Sequence, residues 1–268
     1  TLLKEQEMEK LYDFLAPFYE HGLDAAIVQD FGVLRYLKRQ FPDLDLHAST
    51  QMSIHNAQGA QWLKELGFCR VVLSRELPLT EVKHITQSVG VETEVFIHGA
   101  LCYSYSGQCL MSSLIGGRSG NRGRCAQPCR LQYSLSCDAH KRNYLNLKDI
   151  CTLSDVKALS ESGAASLKIE GRLKSAAYVA GVTAAYRRAL DSYQATGEEY
   201  CPAPEELEEL ALDVIERWLD EKDGETEVGR VLPREYLFFT GDGKHNHFRT
   251  EWDGGQVWDW SLQSPYEE

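Results

Sequence analysis

A unit of about 20–25 residues recurs along the chain: a short apolar run, a polar turn, then a stretch with apolar residues three and four apart. The apolar runs, expected as strands, are Ala25–Gln29, Asp45–Ala48, Arg70–Leu73, Glu94–His98, Tyr144–Leu147 and Ser166–Ile169. Between them Gly32–Gln40, Asn56–Leu66, Thr80–Ser88, Leu153–Ser162 and Ser175–Ala195 carry the spacing of core-facing helices. Alternating strand and helix implies a parallel sheet covered by helices, so the fold class is α/β. No glycine-rich nucleotide turn follows any of the runs, which counts against an open doubly wound sheet. Polar residues gather instead where strands end: Gln29 and Asp30, His47 with Ser49 and Gln51, Arg75 and Glu76, His98, then Lys168, Glu170 and Arg172. In a TIM-like (β/α) barrel such ends form the active face. Any one of them is explained as well by capping a helix or turning the chain, but the aggregate favours the barrel. Six runs leave it two strands short, and the helix at Leu2–Tyr19 has no strand before it, so the barrel is expected to be incomplete at its amino end.

Residues 1–196 are thus expected as a barrel-type catalytic domain. Beyond Thr196 the stretch CPAPEELEELALDVIERWLDEKD reads as a proline-marked linker and an acidic helix. Val228–Thr240 and His245–Trp260 then read as strands, which makes residues 197–268 a small acidic β-rich appendage. Charge follows this division: residues 1–200 hold 22 Lys+Arg against 22 Asp+Glu, and residues 201–268 hold 6 against 18. A net charge of −12 argues against binding nucleic acid through bulk electrostatics, but not through a local patch. Such a patch lies between Gly116 and Arg142, where Arg118, Arg122, Arg124, Arg130, Lys141 and Arg142 face only Asp138. Its plain alternative is a solvated loop. No stretch approaches the roughly 18–20 apolar residues of a membrane helix. The charged opening TLLKEQEMEK does not look like a signal peptide, so a soluble, cytoplasmic protein is expected.

Eight cysteines could make disulfides, yet five fall between Cys102 and Cys137, a crowding that suggests a metal rather than staples. Six residues separate Cys102 from Cys109, and three separate Cys125 from Cys129. Zinc sites of four cysteines usually pair them as C-x2-C, and neither pair has that spacing. A cubane cluster spreads its ligands more widely and gains from nearby cations, here Arg118, Arg122, Arg124 and Arg130. Spacing alone therefore favours iron–sulfur while leaving zinc, and unliganded or disulfide-bonded thiols, open. Cys137 and Cys151 are spare ligands, and Cys69 and Cys201 are expected as buried small apolar residues.

At these same residues the chain resembles peptidase family U32, the collagenase-like proteases. The pattern E-x-F-x2-G-(S/A)-aliphatic-C-x4-G-x-C-x-aliphatic-S is met by Glu94, Phe96, Gly99, Ala100, Leu101, Cys102, Gly107, Cys109, Met111 and Ser112. The likeness continues through NRGRCAQPCR, LNLKD at Leu145–Asp149 and SLKIEGRLKSAAYV at Ser166–Val179. Upstream it includes DAAIVQDFGVLR and LHASTQMSIHNAQGA, so it covers residues 1–195. The resemblance implies a β/α-barrel domain with a four-iron, four-sulfur cluster on Cys102, Cys109, Cys125 and Cys129. It also implies a part in hydroxylating tRNA or rRNA bases with a prephenate-like oxygen donor.

In that chemistry Arg75, Lys168 and Arg172 are the candidates for holding donor carboxylates. His47, His98 and Glu170 are those for moving protons, and Arg118, Arg122, Arg124 and Arg130 those for meeting RNA phosphates. A plainer role for Glu170 and Arg172 is an ion pair on the barrel rim. The family name offers a peptidase as the second reading, although no HExxH, no G-x-S-x-G and no evident cysteine–histidine pair supplies its machinery. A third is a non-catalytic cluster scaffold that binds a partner through the acidic tail.

Overall fold

The computed structural model describes residues 1–136, 138–171, 174–203, 206–207, 210, 237–241, 246–251 and 257–262. Its helices begin and end where the sequence supplies caps. The Asp30 carboxylate accepts the N–H groups of Gly32 and Val33 and starts α3 (Phe31–Gln40), after the one-turn α1 (Glu5–Met8) and α2 (Leu11–Glu20). Asn56 does the same for α4 (Ala57–Glu65), and Ser175 for the long α8 (Ala176–Thr196). Left-handed glycines close α5 (Leu79–Val89) at Gly90, α6 (Met111–Gly116) at Gly117, α7 (Val156–Ser162) at Gly163 and α8 at Gly197.

Five parallel strands form the frame: β1 (Ala25–Val28), β2 (Asp45–Ala48), β3 (Arg70–Val72), β4 (Glu92–Gly99) and β8 (Ser166–Ile169), each beside its predecessor in that order. A β5–β6 hairpin (Tyr133–Leu135, Asp138–Arg142) stands apart from them. β7 (Ile150–Cys151) pairs antiparallel with the end of β4. The strand expected at Tyr144–Leu147 is thus displaced to Ile150–Cys151, because Asn143 and Asn146 close a turn there. The helices lie side by side, α4 on α5, α5 on α7 and α7 on α8. This is the pattern that unidirectional crossovers produce when every helix falls on one face of the sheet. Among the described residues no strand pair joins β1 to β8, so the sheet is a parallel arc of five strands, and closure into the expected barrel is not seen there.

The two faces of that arc differ chemically. On β2, Leu46 and Ala48 join the core under the helices, while Asp45 is exposed and His47 half-buried on the other side. That other side is charged: Arg70 pairs with Glu92 at 2.8 Å, and Glu94 with Lys168 at 2.8 Å. A register shift between Phe96 and His98 lets both Ile97 and His98 lie buried, with His98 against α8. At the strand end Gly99 has φ +103, and a Cβ there would stand 2.6 Å from the Glu170 carbonyl oxygen, so only glycine lets β4 and β8 approach this closely.

Packing continues past the expected boundary at Thr196. Leu207 and Leu210 belong to the same core cluster, Glu206 meets Arg188 at 2.6 Å, and Tyr200 donates to Glu206 at 2.6 Å. Of the acidic stretch, Leu207 and Leu210 are thus buried on the body. Farther on, β9 (Leu237–Gly241), β10 (Asn246–Glu251) and β11 (Val257–Leu262) form an antiparallel sheet in the order β11-β10-β9. Of the strands expected at Val228–Thr240 and His245–Trp260, residues 228–236, 245 and 252–256 lie outside the described residues. No helix among the described residues is long and apolar enough to cross a membrane.

Candidate functional site

The loop after β4 carries two of the four clustered cysteines, and it is bolted to the ends of β2 and β3. Gly107, at φ +79, lies so close to the backbone of Gln51 that a Cβ would collide with its carbonyl. Ser106 donates its N–H to Glu76 Oε1 at 2.8 Å and its hydroxyl to Oε2 at 2.9 Å. Gln108 Nε2 donates to Ser53 Oγ at 2.8 Å. Burial alone raises the Glu76 pKa, but the Ser106 N–H, His55 and the Ser106 hydroxyl outweigh it and hold this carboxyl below its ordinary value. The second cysteine loop docks on the first: Asn121 Nδ2 donates to the Gly107 carbonyl at 3.0 Å, and the Ala126 N–H to Ser112 Oγ at 2.9 Å.

This docking brings the four thiols together. The Cys129 thiol is pushed up first by burial, and then by the thiolates of Cys102, Cys125 and Cys109, while Arg130 pulls it down. Cys102, Cys109 and Cys125 therefore each lie within electrostatic range of Cys129. The backbone N–H of Gln127, held in the left-handed region at φ 54, donates to Cys125 Sγ at 3.3 Å. Among the described residues no three His, Cys, Asp or Glu side chains close around a single ion. Thiols at Cys102, Cys109, Cys125 and Cys129, with the Gln127 amide on Cys125 and Arg130 acting on Cys129, are a donor set whose chemistry fits a thiolate-bound inorganic centre. Of the other cysteines, Cys151 is buried and its thiol pushed up to about 11 by desolvation. Cys69 is half-buried and Cys201 exposed, so neither is the fully buried residue expected. Cys137 lies outside the described residues.

Beside the thiols the strand ends present Arg75. Its guanidinium carbon sits 3.9 Å from the centroid of the Phe96 ring, and its Nη2 meets Glu170 Oε2 at 3.0 Å. Burial lowers its pKa, against Glu170, Cys102 and Glu76, which raise it; Arg75 thus feels both the rim carboxylates and a cluster thiol. Glu170 pairs with Arg75; its expected rim partner Arg172 lies outside the described residues. Lys168 takes the other side of Phe96, 5.4 Å from the ring centroid, and is engaged by Glu94. Glu94 is lowered despite burial, because Lys168, Ser166 and Arg70 surround it. His47 is lowered by burial and then by Arg70, its neighbour in register. Gln29 Oε1, Ser74 Oγ and Arg75 Nε are buried at strand ends with no hydrogen-bond partner among the described residues, and such atoms call for a water or a ligand group.

His98 departs from expectation. It is 1% exposed, with the Tyr178 and Tyr186 rings of α8 at 5.9 and 5.6 Å, so it has no open path to a substrate. Desolvation pulls its pKa to about 4. The unfolded chain, with histidine near 6.5, binds the proton first, so stability contributed by the neutral ring is full above pH 6.5 and is lost as pH falls toward about 4. The loss is on the order of 3 kcal/mol. His98→Phe keeps the ring packing, and its melting temperature should fall less over that interval than the wild type's; parallel curves would refute the assignment.

The arginine patch divides. Arg122 is committed to Glu7 at 2.6 Å and to the Leu2 carbonyl at 3.1 Å. Arg130 donates to Asn146 Oδ1 at 3.0 Å and to the Leu101 carbonyl at 3.3 Å, and stands 3.9 Å from Asp149. Arg118 and Arg124 are exposed, and Arg118 Nε donates to the Arg124 carbonyl. Sequence reasoning missed the Asp149–Lys174 pair and gave Glu76 no role beyond the strand-end count; the repeated LNLKD match was the one hint of Asp149.

The family model of Peptidase family U32 matches residues 1–224. The chain belongs to peptidase family U32. Among its U32 relatives, the "23S rRNA 5-hydroxycytidine C2501 synthase" of Escherichia coli is 42% identical over 197 residues, which is 72% of this chain and 30% of that protein. The "tRNA hydroxylation protein P1" of Bacillus subtilis is 37% identical over 217 residues, 76% of this chain and 51% of that protein. A "Collagenase" of Porphyromonas gingivalis is 28% identical over 211 residues, 72% of this chain and 50% of that protein. The chain thus spans between about a third and a half of the length of these U32 relatives. The U32 pattern has a physical reading here: Glu94 and Phe96 organise the cations on the sheet face, and Gly99 and Gly107 permit the two close backbone approaches that seat the cysteine loop.

Proposed function

We propose that this chain is the cluster-bearing part of an enzyme that hydroxylates bases of tRNA or rRNA, using a carboxylate-bearing donor of the prephenate type. The observation that carries the reading is that Cys102, Cys109 and Cys125 all act on Cys129, in loops clamped to one another and to the strand ends, and that Cys102 also acts on Arg75. Two relatives whose names specify RNA hydroxylation support it. Cys102, Cys109, Cys125 and Cys129 would hold a four-iron, four-sulfur cluster, which supplies electron transfer that no side chain here provides. Arg75, held flat over Phe96 with one side of its fork on Glu170, keeps a buried Nε to orient a carboxylate. His47, biased toward the neutral imidazole, is able to accept a proton on the same sheet face. Lys168 acts through Glu94 to fix that face. The sequential parallel order is read as the arc of a β/α barrel, in a cytoplasmic setting that keeps thiols reduced.

The relative named as a collagenase favours a peptidase as second reading. The one Ser–acid–His cluster on the site is wired against it. Glu76 stands between Ser106, at 2.9 Å, and His55, at 2.8 Å, whereas acyl transfer needs the imidazole between hydroxyl and carboxylate. Nucleosides of RNA from cells with and without the gene, compared by mass spectrometry, test the first reading: a hydroxylated base should vanish on deletion. Protein purified without oxygen should hold about four irons per chain with matching acid-labile sulfide. One zinc per chain, or cleavage of gelatin with RNA unchanged, would overturn it.

A further inference from the structure

The loop between Cys102 and Cys109 exposes two aromatic side chains, Tyr103 at 55% and Tyr105 at 68%. The loop is not loose, since Ser106, Gly107 and Gln108 are all held against the strand ends. Tyr105 is also oriented: its ring meets the edge of His55 at 5.9 Å and 76°, and both nitrogens of His55 are engaged, by the Ser53 carbonyl at 2.9 Å and Glu76 at 2.8 Å. A ring fixed on one edge and open on its face loses little freedom on stacking. Glu76 beneath the loop is engaged by Ser106 and His55, and the cysteine loops themselves carry charge of one sign. Residues 101–137 contain four arginines and no Asp or Glu, in a chain whose net charge is −12. Two of those arginines, Arg118 and Arg124, are exposed, in the loop that Asn121 fastens to Gly107. Exposed aromatics beside exposed guanidinium groups suit an unpaired, phosphate-bearing strand. Leu110, Leu114 and Ile115 are also exposed, but an apolar partner gains nothing from uncompensated arginines.

We propose that Tyr105, seconded by Tyr103, stacks on an unpaired base of the substrate RNA while Arg118 and Arg124 bind its phosphates, which brings the strand to the cysteine centre. The inference rests on the RNA reading above and assigns the contact residues that reading lacks. The test is fluorescence anisotropy of the anaerobically purified chain with a short labelled single-stranded RNA, together with nucleoside analysis of cells carrying each variant. Tyr105→Ala should weaken binding about tenfold without changing its salt dependence, and Tyr105→Phe should restore most of the loss, because the ring face and not the hydroxyl does the work. Arg118→Gln and Arg124→Gln should each lower the salt slope by about 0.7. His55→Ala, which frees the ring, should cost less than Tyr105→Ala. Equal affinity for Tyr105→Ala and wild type, or equal losses for Tyr105→Ala and Tyr105→Phe, would overturn the platform. So would loss of the hydroxylated nucleoside on Leu114→Ser but not on Tyr105→Ala, which marks a protein partner on the apolar ridge. In each of those cases a nucleoside still lost on gene deletion leaves the RNA reading standing, whereas a deletion without effect removes that reading itself.

Discussion

Replacing Cys109 with serine is expected to strip the bound iron and abolish RNA hydroxylation, whereas Cys201→Ser should leave both near wild type. Cys109 lies two residues past Gly107, the point at which the loop is clamped to Gln51, so its sulfur is placed by rigid backbone and not by a mobile tail. Disturbing outer-shell partners of metal ligands costs about 10–100-fold, and removing a ligand thiolate should exceed that. Cys201 is exposed and absent from the charges that act on Cys129. The same loss is expected for Cys102, Cys125 and Cys129, because each of the first two acts on Cys129 within one electrostatic neighbourhood. Iron and sulfide content of anaerobic protein, read beside nucleoside mass spectra of complemented cells, decides the matter. Full iron in all four variants would dissolve the proposed centre.

Asp149→Ala should be the most destabilising single change on the site. Its carboxylate and the Lys174 ammonium are 6% and 5% exposed and 3.3 Å apart, and Lys174 also lies 4.6 Å from the centroid of Tyr178. Removing one member strands the other charge away from water, which costs about 3–5 kcal/mol. In a chain of this size that corresponds to a melting temperature lower by on the order of ten degrees. The consequence is also functional. Arg130 stands 3.9 Å from Asp149 and holds the carbonyl of Leu101, which immediately precedes Cys102, so the variant should also retain less iron. Lys174→Met should cost less, since Arg130 still faces the carboxylate. The double change Asp149→Leu with Lys174→Met should regain much of the stability by replacing two charges with apolar volume. A calorimetric scan showing Asp149→Ala within about a kilocalorie of wild type would sink this account.

Much of this was readable residue by residue, for reasons that differ from element to element. Five of the six expected strands appear where the apolar runs stand, because a period of two or of 3.6 is imposed by the backbone itself. The failure at Tyr144–Leu147 has a local cause: a run that Asn143 precedes and Asn146 interrupts turns instead of pairing, and Ile150–Cys151 takes the place beside β4. His98 looked like a strand-end group because alternation alone points it outward with Glu94 and Phe96. The bulge that reverses it is a property of pairing with β8 and leaves no mark on composition. Arg118 and Arg122 read alike as members of one basic run, yet Arg122 is bound to Glu7 across 115 positions and Arg118 is not.

By itself the sequence determined the α/β alternation, the helix caps at Asp30, Asn56 and Ser175, and the glycines at the two tight crossings. Each of these follows from short-range sterics or from spacing along one segment. The tertiary structure alone decided that Arg75 pairs with Glu170 over Phe96, that Glu76 clamps Ser106, and that Asp149 is buried with Lys174. Those partners are 25–95 residues apart, and their meeting is set by strand order and by burial, which no local pattern records.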